Sequence, residues 1–175
     1  MSGYFVTLIV VFVLVFVGLV FFIVNLSFIG IFSRKLKEHG KALTILLTQK
    51  YENFESLFEI YNKNSIRVKK SIQELFKSID VKNFEKMDTE ESCVDRSNLS
   101  LLKQELTSIV KNNKDFQKNE EFQMAIKMMN SIDEQFRTVA AAYNADVIGY
   151  NYWIRFKPFK YLFLFNHVAK KEIIS

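Results

Sequence analysis

The sequence predicts an all-α membrane protein, with one N-terminal transmembrane helix followed by an antiparallel bundle of three to four long helices. Apolar residues fill the N-terminus up to Ser33, and farther on they recur at steps of three and four. Pro158 is the single proline among 175 residues. We divide the chain into a membrane anchor at 1–33, a helical bundle at 34–158 and an aromatic, basic tail at 159–175.

The composition argues against several classes of protein and site. One cysteine, Cys93, excludes an intrachain disulfide, and with only two histidines it cannot fill a Cys/His zinc site. No glycine-rich phosphate loop is present. The chain has 24 Lys and Arg against 19 Asp and Glu, but the positive charge is dispersed and no base-stacking module accompanies it. We therefore expect no enzymatic activity, catalytic residue, cofactor, metal or nucleic-acid partner.

The N-terminal segment predicts an uncleaved membrane anchor. About 20 apolar residues cross a hydrocarbon layer of about 30 Å, and residues 4–28 exceed that length. A cleaved signal peptide would need a basic start and a small-residue cleavage site. No Lys or Arg precedes Arg34, and no such cleavage site follows the apolar run.

Basic residues after the anchor predict its orientation. They are Arg34, Lys35, Lys37 and Lys41. Because basic flanks stay in the cytoplasm, we expect a single-pass membrane protein with its N-terminus outside and its C-terminal domain in the cytoplasm. The same basic cluster is expected to meet anionic membrane lipid.

The first part of the body predicts one helix over residues 42–79. Its charged positions, Lys50 among them, are expected to form a solvated face. The seam of this helix is Leu47, Tyr51, Phe54, Phe58, Tyr61, Ser65, Val68, Ile72, Leu75 and Ile79.

Two more helices are expected after a polar connector at 80–98. Ser97 or Asn98 is suited to cap the second helix, and the third extends from near Asn119 to near Pro158. Three antiparallel helices would leave the tail away from the bilayer, unless the connector adds a further pass. The third helix has a buried stripe predicted at Ala125, Met129, Ile132, Phe136, Val139, Tyr143, Val147, Tyr150 and Ile154.

Two Tyr-Asn pairs form the most specific local pattern. Tyr143 and Asn144 lie one heptad before Tyr150 and Asn151, and Pro158 follows. On a helix, both tyrosines then share one face. We expect the tyrosines to pack with their hydroxyls at the edge of the core, and the asparagines to form inter-helix hydrogen bonds that set register. Ligand binding by these residues is the less favoured interpretation.

These pairs, with Asn119 and Phe122 before them and Pro158 after them, resemble the C-terminal pattern of the LemA family of bacterial membrane proteins. Residues 43–59 resemble a second segment of that family, and residues 133–135 stand where the family has Glu-Asn-Arg. The resemblance implies one N-terminal membrane segment, a helical bundle and no established enzymatic activity. One magnetosome protein similar to the family is tied to membrane vesicle formation.

Two functions are consistent with these features. The first is a membrane scaffold that forms homo-oligomers through its helical domain and organises membrane. The alternative is an adaptor or regulator of another membrane protein, a protease or transporter, in a hetero-complex. Aromatic residues interleaved with lysines make the tail a contact candidate, for the membrane interface or a bundle end. They are Phe159, Tyr161, Phe163 and Phe165.

Overall fold

A computed structural model describes residues 2–64, 68–86, 89–111, 116–155 and 171–174. These residues are helical with no strand, which confirms the all-α class. The four α-helices are α1 (Ser2–Lys63), α2 (Lys70–Lys77), α3 (Glu90–Lys111) and α4 (Glu120–Ile154). Short 3₁₀ helices lie at Val81–Glu85 and Phe116–Lys118.

Helix α1 carries the predicted membrane-length segment. Among the described residues it is the one helix long and apolar enough to cross a membrane. Two polar side chains in its apolar part hydrogen-bond within the helix: Thr7 Oγ1 donates to the carbonyl of Gly3 (3.0 Å), and Ser27 Oγ to that of Ile23 (2.8 Å). Such bonds satisfy the hydroxyl groups within the helix itself.

The first body helix is shorter than predicted, because α1 ends at Lys63 instead of continuing through 79. The side-chain Nδ2 of Asn64 donates to the carbonyl of Ile60 (2.7 Å), which satisfies an acceptor at the helix end. Val68 and Ile72 of the predicted seam lie beyond this end and are still buried. The apolar period therefore identified core residues correctly but did not detect the break between α1 and α2.

The polar stretch 80–98 was wrongly predicted as a connector. Helix α3 begins within it, at Glu90 and not at Ser97 or Asn98. Thr89 precedes the helix, and its Oγ1 accepts from the main-chain N–H three residues later (3.3 Å). That hydrogen bond caps α3 despite the low apolar content of its first turns.

The chain divides into two compact units, each assembled from two separate stretches. The first unit comprises Met1–Lys37 and Ala145–Glu172. The second comprises Glu38–Asn144 and Ile173–Ser175.

In the first unit, aromatic side chains of α1 pack against α4. The rings of Phe28 and Trp153 stack with centroids 4.5 Å apart and planes 4° from parallel. The ring of Phe32 lies over Gly149, where a Cβ atom would come within 2.5 Å of Phe32 Cε1. The absence of a side chain at Gly149 therefore permits this close approach.

In the second unit, buried hydrogen bonds join α1 to α3 and to α4. The hydroxyl of Tyr61 donates to the carbonyl of Leu106 (2.8 Å), and Asn53 Nδ2 donates to the carbonyl of Ala125 (2.9 Å). Tyr61 is fully buried, and this burial raises the pKa of Tyr61 well above its ordinary value. These bonds give buried polar groups the partners they would otherwise lose on leaving water.

An ion bridge also joins three helices of the second unit. The carboxylate of Asp133 on α4 lies between Lys50 Nζ of α1 (2.7 Å) and Lys103 Nζ of α3. Lys50 is only 8% exposed, so its predicted place on a solvated face is wrong. Burial acts to raise the pKa of Asp133, but hydrogen bonds and positive charge from Lys103 and Lys50 outweigh it, and the pKa lies below its ordinary value.

Replacing Asp133 should make the free energy of unfolding of the helical domain less dependent on pH in the acidic range. Because the folded-state pKa of Asp133 is lowered, its contribution is present above the unfolded pKa, near 3.8, and is lost as the pH falls through the folded value. We expect Asp133→Asn to lower the free energy of unfolding by about 3 kcal/mol at neutral pH, since Lys50 is left buried without its carboxylate. The difference from the wild type should shrink below about pH 4.

Chemical unfolding followed by circular dichroism in mild detergent measures this difference. Glu134→Gln is the matched control, because Glu134 is the exposed neighbour on the same helix. An equal loss in both variants, or a difference that persists at low pH, would contradict a structural role for the Asp133 carboxylate.

Candidate functional site

Asn144 of α4 binds the main chain of Ile174 with both ends of its side-chain amide. Its Nδ2 donates to the Ile174 carbonyl (2.8 Å), and its Oδ1 accepts from the Ile174 N–H (2.8 Å). Both residues belong to the second unit. The N–H and the C=O of Ile174 are thus both hydrogen-bonded to one side chain, as the two groups are in a hydrogen-bonded pair between neighbouring strands. We call this contact the Asn144 clamp.

Asn151 makes the same contact with Lys171 in the first unit. Its Nδ2 donates to the Lys171 carbonyl (2.8 Å), and its Oδ1 accepts from the Lys171 N–H (3.1 Å). We call this the Asn151 clamp. Residues 171–174 have no helix or strand of their own, so these side chains supply hydrogen bonds that a ladder would otherwise provide.

The tyrosines of the two pairs point into the protein, as expected. Tyr143 is 4% and Tyr150 is 8% exposed. Within the second unit, Tyr143 Cε2 lies 3.9 Å from where a Cβ of Gly40 would stand, an ordinary packing distance. With each tyrosine buried, the next residue falls at the flank of the helix, since successive helical residues are rotated by about 100°.

The predicted role of the asparagines was wrong. Among the described residues, the side chains of Asn144 and Asn151 hydrogen-bond to main-chain groups of residues 171–174 and to no other helix. Their partners could not be identified from the sequence, because any residue except proline offers the same N–H and C=O. The heptad spacing was the available signal, and it is compatible with either kind of partner.

The other predicted site residues fall into two groups. The basic cluster is exposed on α1, and Lys35 Nζ lies 5.9 Å from the centroid of the Phe32 ring. The cluster comprises Arg34, Lys35, Lys37 and Lys41. Outside the described residues lie Pro158, Phe159, Tyr161, Phe163 and Phe165.

A cleft of about 460 Å³ lies beside the ion bridge in the second unit, among α1, α3 and α4. It contains Asp133 and the exposed free thiol of Cys93, which the structure places on α3. A carboxylate whose pKa is lowered is a weaker base, so Asp133 is better suited to hold the two lysines than to accept a proton. No group of three His, Cys, Asp or Glu side chains in the described part of the chain is placed to hold a metal ion.

The Asn-x-x-Phe motif has a structural role at the start of α4. Oδ1 of Asn119 accepts from the N–H of Phe122 (2.9 Å), which caps the helix. Phe122 is buried and meets Tyr61 edge to face, with centroids 6.1 Å apart. The predicted start of this helix is thereby confirmed.

Comparison with family models, curated proteins and solved structures found no match to this chain. The function must therefore be inferred from the arrangement of its own residues.

Removing either asparagine should release the residue that it holds. We expect Asn144→Ala to speed amide hydrogen exchange at Ile174, and Asn151→Ala to speed it at Lys171, each by roughly thirtyfold, because each clamp contributes two hydrogen bonds of about 1 kcal/mol. Hydrogen exchange of the C-terminal residues, read by NMR or mass spectrometry with fragmentation, measures this.

Gln135→Ala is the control, because Gln135 is exposed on the same helix and donates to its helical neighbour Ser131. Unchanged exchange at Lys171 and Ile174 in both asparagine variants would show that the clamps do not hold this segment.

Proposed function

We propose that this chain is a non-enzymatic, membrane-anchored scaffold that self-assembles through its helical domain. The observation that carries the proposal is the continuity of α1 from Ser2 to Lys63. Its N-terminal part exposes apolar side chains throughout, whereas Phe54 and Leu57, later in the same helix, are fully buried. One helix thus supplies a lipid-compatible surface and a packed core, which is what a tethered helical domain requires.

The arrangement that we propose is an antiparallel bundle. In the second unit, early positions of α1 meet late positions of α4, and late positions of α1 meet early ones. The supporting contacts are Gly40 with Tyr143, Lys50 with Asp133, Asn53 with Ala125 and Lys63 with Glu121.

The basic cluster supports the proposed orientation. Its four residues are exposed just beyond the apolar part of α1, where they would hold that flank in the cytoplasm and contact anionic lipid. The N-terminus would then lie outside a bacterial inner membrane.

Membership of the LemA family is part of this proposal. The motifs that carry the resemblance have structural roles here, which supports it: Asn119 caps α4, and Phe122, Tyr143 and Tyr150 are buried. Those roles need no catalytic chemistry, in keeping with a scaffold.

Exposed apolar side chains on the second unit support self-assembly. Met124 is 73% and Met128 is 53% exposed, one helical turn apart on α4. On α3, Val94 and Leu101 are each about half exposed. Apolar side chains that gather on a surface mark contact sites, and those of methionine adapt readily to a partner surface.

Light scattering of the full-length protein in mild detergent, with the detergent mass subtracted, tests this proposal. We expect a discrete oligomer, and we expect Met124→Gln/Met128→Gln to weaken it because those changes remove apolar contact area. Lys127→Gln, at an exposed position on the same helix, is the matched control. A monomer at every concentration, isolated with a different membrane protein, would contradict the scaffold and favour the adaptor.

A further inference from the structure

The C-terminal end of α4 lies beside the end of the apolar part of α1. Within the first unit, Gly149 lies under the ring of Phe32, and Trp153 stacks on Phe28. Later positions on α4 therefore meet earlier positions on α1. Helix α4 approaches the apolar segment as it nears Ile154.

The anchoring proposed above places this contact at the level where a membrane meets water. The uncharged residues 4–28 are more than enough for a hydrocarbon layer of about 30 Å, which takes about 20 residues. Phe28 ends this segment, and Arg34 is the first charged residue after it. Trp and Tyr concentrate at this boundary in membrane proteins, because their rings are apolar and each has a polar group.

Other described residues of the first unit add aromatic surface and positive charge. Tyr152 is 63% exposed and sits edge to face with Trp153, at a centroid distance of 5.6 Å. Arg155 follows in the next turn and is exposed, and exposed Lys171 is held nearby by the Asn151 clamp. Aromatic rings with exposed basic side chains near them suit a layer of anionic headgroups.

We propose that the C-terminal end of α4, through Tyr152, Trp153 and Arg155, inserts into the headgroup layer and binds anionic phospholipid. It is a second membrane contact besides the anchor, and it rests on the proposed anchoring of α1. By this inference α4 ends at the bilayer, although three antiparallel helices were expected to end away from it.

Trp153 is the only tryptophan, so its fluorescence reports on this position alone. The full-length protein is placed in vesicles of phosphatidylcholine and phosphatidylglycerol, with bromine near the headgroup or deep in the acyl chain. We expect shallow bromine to reduce the emission by about half and deep bromine to reduce it less, because Trp153 lies at the interface. Dissolved iodide should quench weakly.

A matched pair of variants tests the role of charge. Arg155→Gln should increase quenching by iodide about twofold in vesicles that contain phosphatidylglycerol, because the end of α4 loses an attraction to anionic lipid. Lys127→Gln, in the second unit, should leave it unchanged. Equal effects of the two variants would overturn the binding of anionic phospholipid.

Flotation of the same vesicles separates this inference from the anchoring itself. If the protein floats with the lipid but neither bromine position quenches Trp153, the inference is overturned and the anchor stands. If the protein does not float, the anchoring fails and this inference fails with it.

Discussion

The register of the helices in the second unit depends on one carboxylate. Asp133 binds Lys50 of α1 and Lys103 of α3, so α4 cannot slide by a turn against either helix without leaving a charge unpaired. Apolar stripes alone tolerate such slips, because one leucine packs much like another. The packed tyrosine Tyr143, on the same helix as Asp133, meets Gly40 in this register. A partly buried ion bridge therefore fixes a register that hydrophobic contacts alone would leave open.

Much of the fold could be predicted because it depends on periodicity and length. The apolar N-terminal helix, the start of α4 at Glu120 and the burial of Tyr143 and Tyr150 all follow from patterns that a single helix displays. What could not be predicted depends on pairs of distant residues. Lys50 resembles any solvated lysine until Asp133 is seen beside it, and the start of α3 depends on a cap at Thr89 within a polar stretch.

At the candidate site, the Tyr-Asn pairs also combine a feature that could be predicted from the sequence with one that could not. Burial of the tyrosines follows from the apolar period of the helix and could be predicted from the sequence. The partners of the asparagines could not be predicted, because Lys171 and Ile174 are bound through main-chain atoms that every non-proline residue has. Each pair thus combines a core contact with a main-chain clamp, and the clamps hold the end of the described chain against α4.

Replacing single peptide bonds by esters tests most directly whether the clamps bind the main chain. An ester at Ile174 removes the N–H that Asn144 Oδ1 accepts and leaves every side chain intact. In the full-length protein with semisynthetic C-terminal residues, we predict that this ester speeds carboxypeptidase trimming about fivefold, as loss of one hydrogen bond implies. An ester at Ile173, which is exposed and bound by neither clamp, should have no effect. Equal trimming of both ester proteins and the all-amide protein would contradict the account.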